Sequence, residues 1–289
     1  MASAIITAGI TTACGRSTPV TTSLPAPDRT VTTSPDVSGE SLWVISPTNE
    51  QHSYASVVST RLELASSSTQ VVRDSLVSRI DFTLSITRDP RAVSFSGSID
   101  RISIEAGART GPYDETAPLP FPFSGRLQNS TVTLNQPAGQ TVGELADCTN
   151  SAVSAVSTVQ RALVLAPLQL RRDMRWTDSS STAMFSGPLP VTLTTTRSYR
   201  VIGEGVVSGA RAILLERHEK TLASGQGSQG QHRVLIRGEG QGTGRVAIDA
   251  VTGALIEAGG TQTSLVTLTA SGRDQRFTQV VNERVTKTR

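Results

Sequence analysis

Aromatic side chains are scarce: six Phe, three Tyr and two Trp in 289 residues. A membrane-spanning barrel carries aromatic girdles at both interfaces, and these residues are too few and too scattered to form them. The same scarcity argues against a sugar cleft with stacking platforms, and leaves any core to Val, Leu, Ile and Ala. Cysteine is equally rare. Cys14 and Cys148 show no CxxC or Cys/His ligand spacing, which excludes a structural zinc site. A disulfide between them would tether a tail rather than close a core, and Cys148 reads as a small buried hydrophobe. No apolar run approaches the ~20 residues of a membrane-spanning helix. No block of one charge sign exists either. The 27 basic and 24 acidic side chains alternate to a net +3, without the clustered basic face of a nucleic-acid protein. The pairs nearest to a cluster, Arg171-Arg172 and Arg284 with Lys287 and Arg289, read as solvated strand edges or a tail.

Ser, Thr and Val are abundant, and the β-branched ones favour a pleated, half-buried surface. Before the body begins, residues 2–13 are uncharged and moderately apolar and end in small residues directly before Cys14-Gly15. This reads as an export signal remnant over 1–14, with Cys14 as the expected lipidation site. Thr11 stands where an aliphatic residue is usual. Residues 15–40 are rich in Ser, Thr and Pro with no hydrophobic periodicity, and are expected to be a disordered tether.

From Ser41 the period becomes two. SLWVI (41–45) is a short apolar run ended by Pro47. Tyr54, Val58, Leu62 and Leu64 share one parity, and the clearest strand, 78–87, alternates Ile80, Phe82, Leu84 and Ile86 with polar residues. After a turn at Arg88-Asp89-Pro90-Arg91, Val93, Phe95 and Ile99 share a parity that flips at Ile102 and Ile104. A bulge near Asp100-Arg101 would re-aim every later side chain in this way. Residues 107–126, rich in Gly and Pro, read as a long loop, and 130–135 as a weaker strand.

Residues 147–165 break the pattern. Ala152, Val153, Val156, Val159 and Leu163 lie at helical spacing, Asp147 or Asn150 can cap, and Pro167 stops the run. Beyond it a second β block carries Val191, Leu193, Tyr199 and Val201 on one parity. Strands follow at 210–216, 232–237, 245–249, 254–257, 264–269 and 276–285. The connections expected between them are Asp249–Gly253, Gly259-Gly260 and Ser271–Asp274. The fold class is therefore mainly β. Antiparallel meander sheets are expected as a curved half-barrel or two lobes, with one amphipathic helix near 150–165. A first β lobe covers 41–146, the helix 147–166, and a second lobe 167–289.

Little points to chemistry. Gly225-Gln-Gly227-Ser-Gln-Gly230 matches GxGxxG, but a dinucleotide site needs that loop to open a helix, and strand-like 231–237 follows. Flexible hairpin loops and strand kinks account for these glycines and for Gly238, Gly240, Gly242 and Gly244. Of His52, His218 and His232, His218 sits in Glu216-Arg217-His218-Glu219-Lys220, where on a strand Glu216 and His218 would share a face. Exposed charges at a strand end explain that pair. No GxSxG elbow or HExxH is present. A hydrolytic acid pair formed by folding leaves no local mark, and Asp81, Asp100, Glu105 and Glu204 are its ordinary-looking candidates. The sequon Asn129-Ser130-Thr131 carries no weight.

The order of a lipobox-like Cys14, a Ser/Thr/Pro tether and long amphipathic strands resembles uncharacterised bacterial envelope lipoproteins. The stretch from Pro167 to Arg175-Trp176-Thr177-Asp178, ahead of a second β block, looks like the central joint of some of them. The resemblance is architectural and implies a curved half-barrel that holds a lipid or other apolar ligand on its concave face. The expectation is an exported, non-enzymatic envelope protein on the periplasmic side of a bacterial membrane or outside the cell. Its partners would be the membrane, through the anchor, and an apolar ligand or an envelope protein, with no nucleic acid, cofactor or metal. The alternatives are a structural or assembly component without a small ligand, and a hydrolase with a folded-together acid pair.

Overall fold

The structure is a computed structural model and describes residues 42–65, 71–88, 93–106, 119–128, 131–134, 162–186, 189–229 and 232–288. Thirteen strands make up nearly all of it: β1 (Leu42–Val44), β2 (His52–Ala65), β3 (Val71–Arg88), β4 (Val93–Ala106), β5 (Phe121–Gln128), β6 (Thr131–Leu134), β7 (Gln169–Arg171), β8 (Arg175–Ser186), β9 (Leu189–Val207), β10 (Ala210–Gln229), β11 (His232–Asp249), β12 (Leu255–Ala270) and β13 (Arg273–Lys287). The mainly β, antiparallel architecture is the expected one. Cys14, the tether, Cys148 and most of the predicted helix lie outside the described residues. Of that helix, Ala162 is helical and residues 163–167 run as coil.

Eleven strands follow one another round a ring in the order β10-β11-β12-β13-β2-β3-β4-β5-β6-β8-β9, and β9 returns to β10. An odd number of strands cannot alternate all the way round, so one joint must be parallel. That joint is β6–β8, a single pair, Thr131↔Ser181. All the others are antiparallel, and most are long ladders. β13 pairs with β2 over Phe277–Lys287, so the chain's two β blocks share one wall.

Alternation decides which side chains enter this ring. The registers line up one lumen row as Val201–Leu215–Val246–Ala258–Val285–Ser56–Ile80–Ile102, eight strands wide. Every member is buried. The parity flip in β4 is a bulge: Asp81 faces Arg101 and Phe82 faces Ile99, which leaves Asp100 unpaired. Ile99 and Ile102 therefore both enter the core.

At the base of the ring the lumen is filled by the chain itself. β1 pairs with β7, and Trp43, Ile45, Leu163, Val164, Ala166 and Leu170 join one core with Tyr54, Phe82, Phe95, Phe123, Ile213 and Ile248. Arg88 holds this cap by donating from Nη1 to the Ala166 carbonyl at 2.7 Å and from Nη2 to that of Val164 at 3.1 Å. Two Ser-Gly connections turn the chain. Ser208-Gly209 and Ser271-Gly272 each place both residues at positive φ, the type I′ geometry that matches strand twist. The Asp249–Gly253 connection is built by Asp249, whose Oδ1 accepts from the backbone N–H groups of Val251 and Thr252 and from the Thr252 hydroxyl.

Three expectations need correction. Residues 121–128, read as loop, form β5, because Val93–Ile99 offers them a ladder to pair with. The glycine stretches 225–229 and 238–244, read as loop and kinks, are continuous strand. Gly259-Gly260, read as a turn, sits inside β12. All of these glycines but Gly227, which pairs with β11 alone, lie between two paired neighbours, and the ladders outweigh the weak strand propensity of glycine.

Candidate functional site

Charged groups occupy mid-height of the outer wall. Arg79–Glu105 (2.7 Å), Arg284–Glu257 (2.9 Å) and Lys220–Glu239 (3.3 Å) pair there in the open. A membrane-spanning barrel presents an apolar band at that height. Here charged pairs face outward at that height.

The lumen is layered. Above the apolar row described, the registers stack a polar belt. Its lowest row is Trp176–Tyr199–Arg217–Gly244–Gly260–Glu283, the next is Asp178–Arg197–Glu219–Gly242–Gln262, and the third is Ser180–Thr195–Thr221–Gly240–Ser264–Gln279. Arg197 donates from Nε to Glu219 Oε2 at 2.8 Å, and Arg217 from Nη2 to Glu283 Oε1 at 2.5 Å. Burial alone would drive Arg197 toward its neutral form, but Glu219, with Tyr199 and Glu283 adding to it, more than offsets this and holds the charge. Burial pushes the Tyr199 hydroxyl well above its ordinary range and keeps it neutral.

The glycines explain how Arg217 reaches a carboxylate two strands further on than β11. A Cβ on Gly260 would lie 2.8 Å from Arg217 Nη2 and one on Gly244 3.1 Å from it. The guanidinium lies across bare backbone, in space that any side chain would take. The GxGxxG segment has a related place: Gly225 and Gly227 lie on the lumen side of β10, and no helix follows within the described residues. We expect Gly260→Ala to destabilise the protein by about 1–3 kcal/mol through overpacking, since its methyl would also meet the Thr243 carbonyl at 2.7 Å. Urea denaturation would read this, and an unchanged midpoint would contradict the threading of Arg217 over glycine.

Four orphans mark the belt. The Ser180 and Thr221 hydroxyls, Arg217 Nε and Trp176 Nε1 are buried without a hydrogen-bond partner among the described residues. Beside Arg217, Glu219, Gln262, Val281 and Glu283 a void of about 10 Å³ remains, room for about one water. Above the belt the lumen wall becomes apolar again, with Leu193, Ile236, Val266, Leu268, Phe277, Leu62 and Leu64 at lumen positions. These are only half-buried, unlike their counterparts at the base. Sequence reading placed Leu62, Leu64 and Leu193 on the correct parity. It missed the belt, although glycines sharing a parity with Val246 and Val285's partner Ala258 were its visible trace.

The residues singled out from sequence do not assemble. Asp81 and Glu105 point outward and pair with Arg101 (3.8 Å) and Arg79, while Asp100 on the bulge accepts from Ser98 Oγ at 2.6 Å. Glu204 sits at the base. It accepts from Trp43 Nε1 at 2.7 Å and pairs with Arg211. These two hydrogen bonds hold its carboxyl at about 2, below its ordinary 4.5. A depressed carboxyl stabilises the fold fully above pH 4.5, and that contribution is lost as pH falls toward 2. In a Trp176→Phe background, Trp43 emission should therefore stay constant down to about pH 4 and change only near the lower limit. A transition centred at 4.5 would contradict the contact.

His218 does share a face with Glu216, at 3.9 Å and largely exposed. With Arg175, Thr177, Ser198 and Arg200 the pair lines a cleft of about 430 Å³, backed by Trp176 stacked on Tyr199 at 5.0 Å. Among the described residues, the polar contact that His218 makes is the one to Glu216. No group of three or more His, Cys, Asp or Glu able to hold a metal occurs among the described residues. The fold and site together define a β-barrel with a capped base, charged pairs on its outer wall and a layered lumen. The chain matches no protein-family model and no curated protein.

Proposed function

We propose that this protein is a non-catalytic, exported envelope barrel, anchored through Cys14, that takes an apolar ligand against the upper wall of its lumen. One observation carries the reading: above the polar belt Leu62, Leu64, Leu193, Ile236, Val266, Leu268 and Phe277 are half-buried at lumen positions, with Val191 and Val234 buried among them, whereas the lumen-facing apolar side chains of the base row are all buried. Apolar surface that water still reaches gains about 25 cal/mol per Å² when a ligand covers it. Concave apolar walls with a few convergent polar groups are the usual form of a ligand site. The outward polarity supports a body that stays in water while an anchor holds it at a membrane. The lipobox-like residues before Cys14 and the Ser/Thr/Pro tether support that anchor.

The test uses the purified full chain and the uncharged probe N-phenylnaphthylamine. Saturable, blue-shifted emission is expected. It should be largely lost in Phe277→Asp, which puts a charge on the upper lumen wall, and kept in Leu222→Asp, where the side chain is 48% exposed on the outer wall. Absence of saturable binding, or equal loss in both variants, would end the proposal.

A further inference from the structure

Resting on that reading, we infer that the ligand is an amphiphile with an uncharged, hydrogen-bonding head, such as a monoacylglycerol, whose head sits on the polar belt and whose chain lies along the upper wall. Ser180, Thr195 and Thr221 are adjacent in one lumen row, directly beneath the row of Leu193, Ala223 and Val266. All three are at least nine-tenths buried, and the hydroxyls of Ser180 and Thr221 have no partner. A buried hydroxyl left unpaired costs about 1–3 kcal/mol, and a head group descending from above would satisfy both. Two rows further down, Arg217 Nε is a third unpaired donor.

Charge decides against an acid. The two guanidinium groups of the belt, Arg197 and Arg217, are each already paired with a carboxylate, Glu219 and Glu283. A fatty-acid carboxylate would find neither of them unpaired, so its desolvation cost would not be offset by them. The glyceryl hydroxyls can donate to and accept from the row, and the ester carbonyl can accept from it, without bringing charge.

The experiment is displacement of N-phenylnaphthylamine from the full chain at pH 7 by monooleoylglycerol and by oleate, which share one acyl chain. Monooleoylglycerol should displace at a concentration lower by about tenfold, the equivalent of about 1.4 kcal/mol. Thr221→Val keeps the shape and removes the hydroxyl. It should bring the two ligands to within about threefold of each other, with far-UV circular dichroism unchanged. Oleate displacing as well as the glyceride, or a preference untouched by Thr221→Val, overturns the inference. The broader function would still stand in that case, provided probe binding falls in Phe277→Asp. A chain that binds no probe overturns both.

Discussion

Replacement of Glu283 by alanine should destabilise the protein by about 3–5 kcal/mol, the cost of leaving one buried charge without its partner. Arg217 is 4% exposed, and its Nη2 lies 2.5 Å from Glu283 Oε1. The next acid on the lumen side of its own strand, Glu219, is already held by Arg197 at 2.8 Å. The remaining neighbour of Arg217 in the ladder, Tyr199, is buried and neutral. The charge would therefore stay in place, poorly solvated. The double variant Arg217→Met, Glu283→Leu should recover most of the loss, because apolar residues of similar volume replace a buried pair at little net cost. Urea denaturation of the three variants reads both effects. If the single and double variants are equally destabilised, the loss comes from packing and not from an orphaned charge.

Phe82→Ala should cost a similar amount, about 3–5 kcal/mol, for a different reason. Phe82 is 1% exposed, stacks on Tyr54 with ring centroids 5.2 Å apart, and faces Ile99 beside the bulge. Its loss leaves a cavity beneath the cap, where the chain cannot collapse because Arg88 and the β1–β7 pair hold the opposing surface. Val57→Ala, 39% exposed on the outer face of the neighbouring β2, should change stability by no more than about 0.5 kcal/mol. Equal effects at the two positions would mean that the inside and outside of the ring are wrongly assigned.

Much of this wall was legible in advance because side-chain alternation is a local property. Ile80, Phe82 and Leu84 announce their buried face wherever the strand is placed. The flip from Ile99 to Ile102 announces the bulge, because two apolar residues on opposite parities can share a core only if one residue drops out of register. The glycine stretches misled for the opposite reason. A glycine carries no hydrophobic label, so its state depends on the strands beside it, and β10, β11 and β12 hold theirs in full ladders. Likewise 121–128 reads as loop from its Pro and Gly, and becomes β5 only because β4 stands next to it.

The belt was beyond local reading altogether. Arg197 and Glu219 are 22 residues apart, and Arg217 and Glu283 are 66 apart. No spacing rule links them, and each looks like an ordinary solvent-face charge until the ring closes. By itself the sequence determined that the molecule is β, which parity is dry, and where the Ser271-Gly272 connection turns, since these follow from backbone stereochemistry and the two-residue repeat. Only the tertiary structure decided that eleven strands share one lumen, that β1, β7 and residues 162–170 cap its base, and that four distant charges meet inside. Those outcomes depend on which strands pair, and pairing is settled by contacts between residues far apart along the chain.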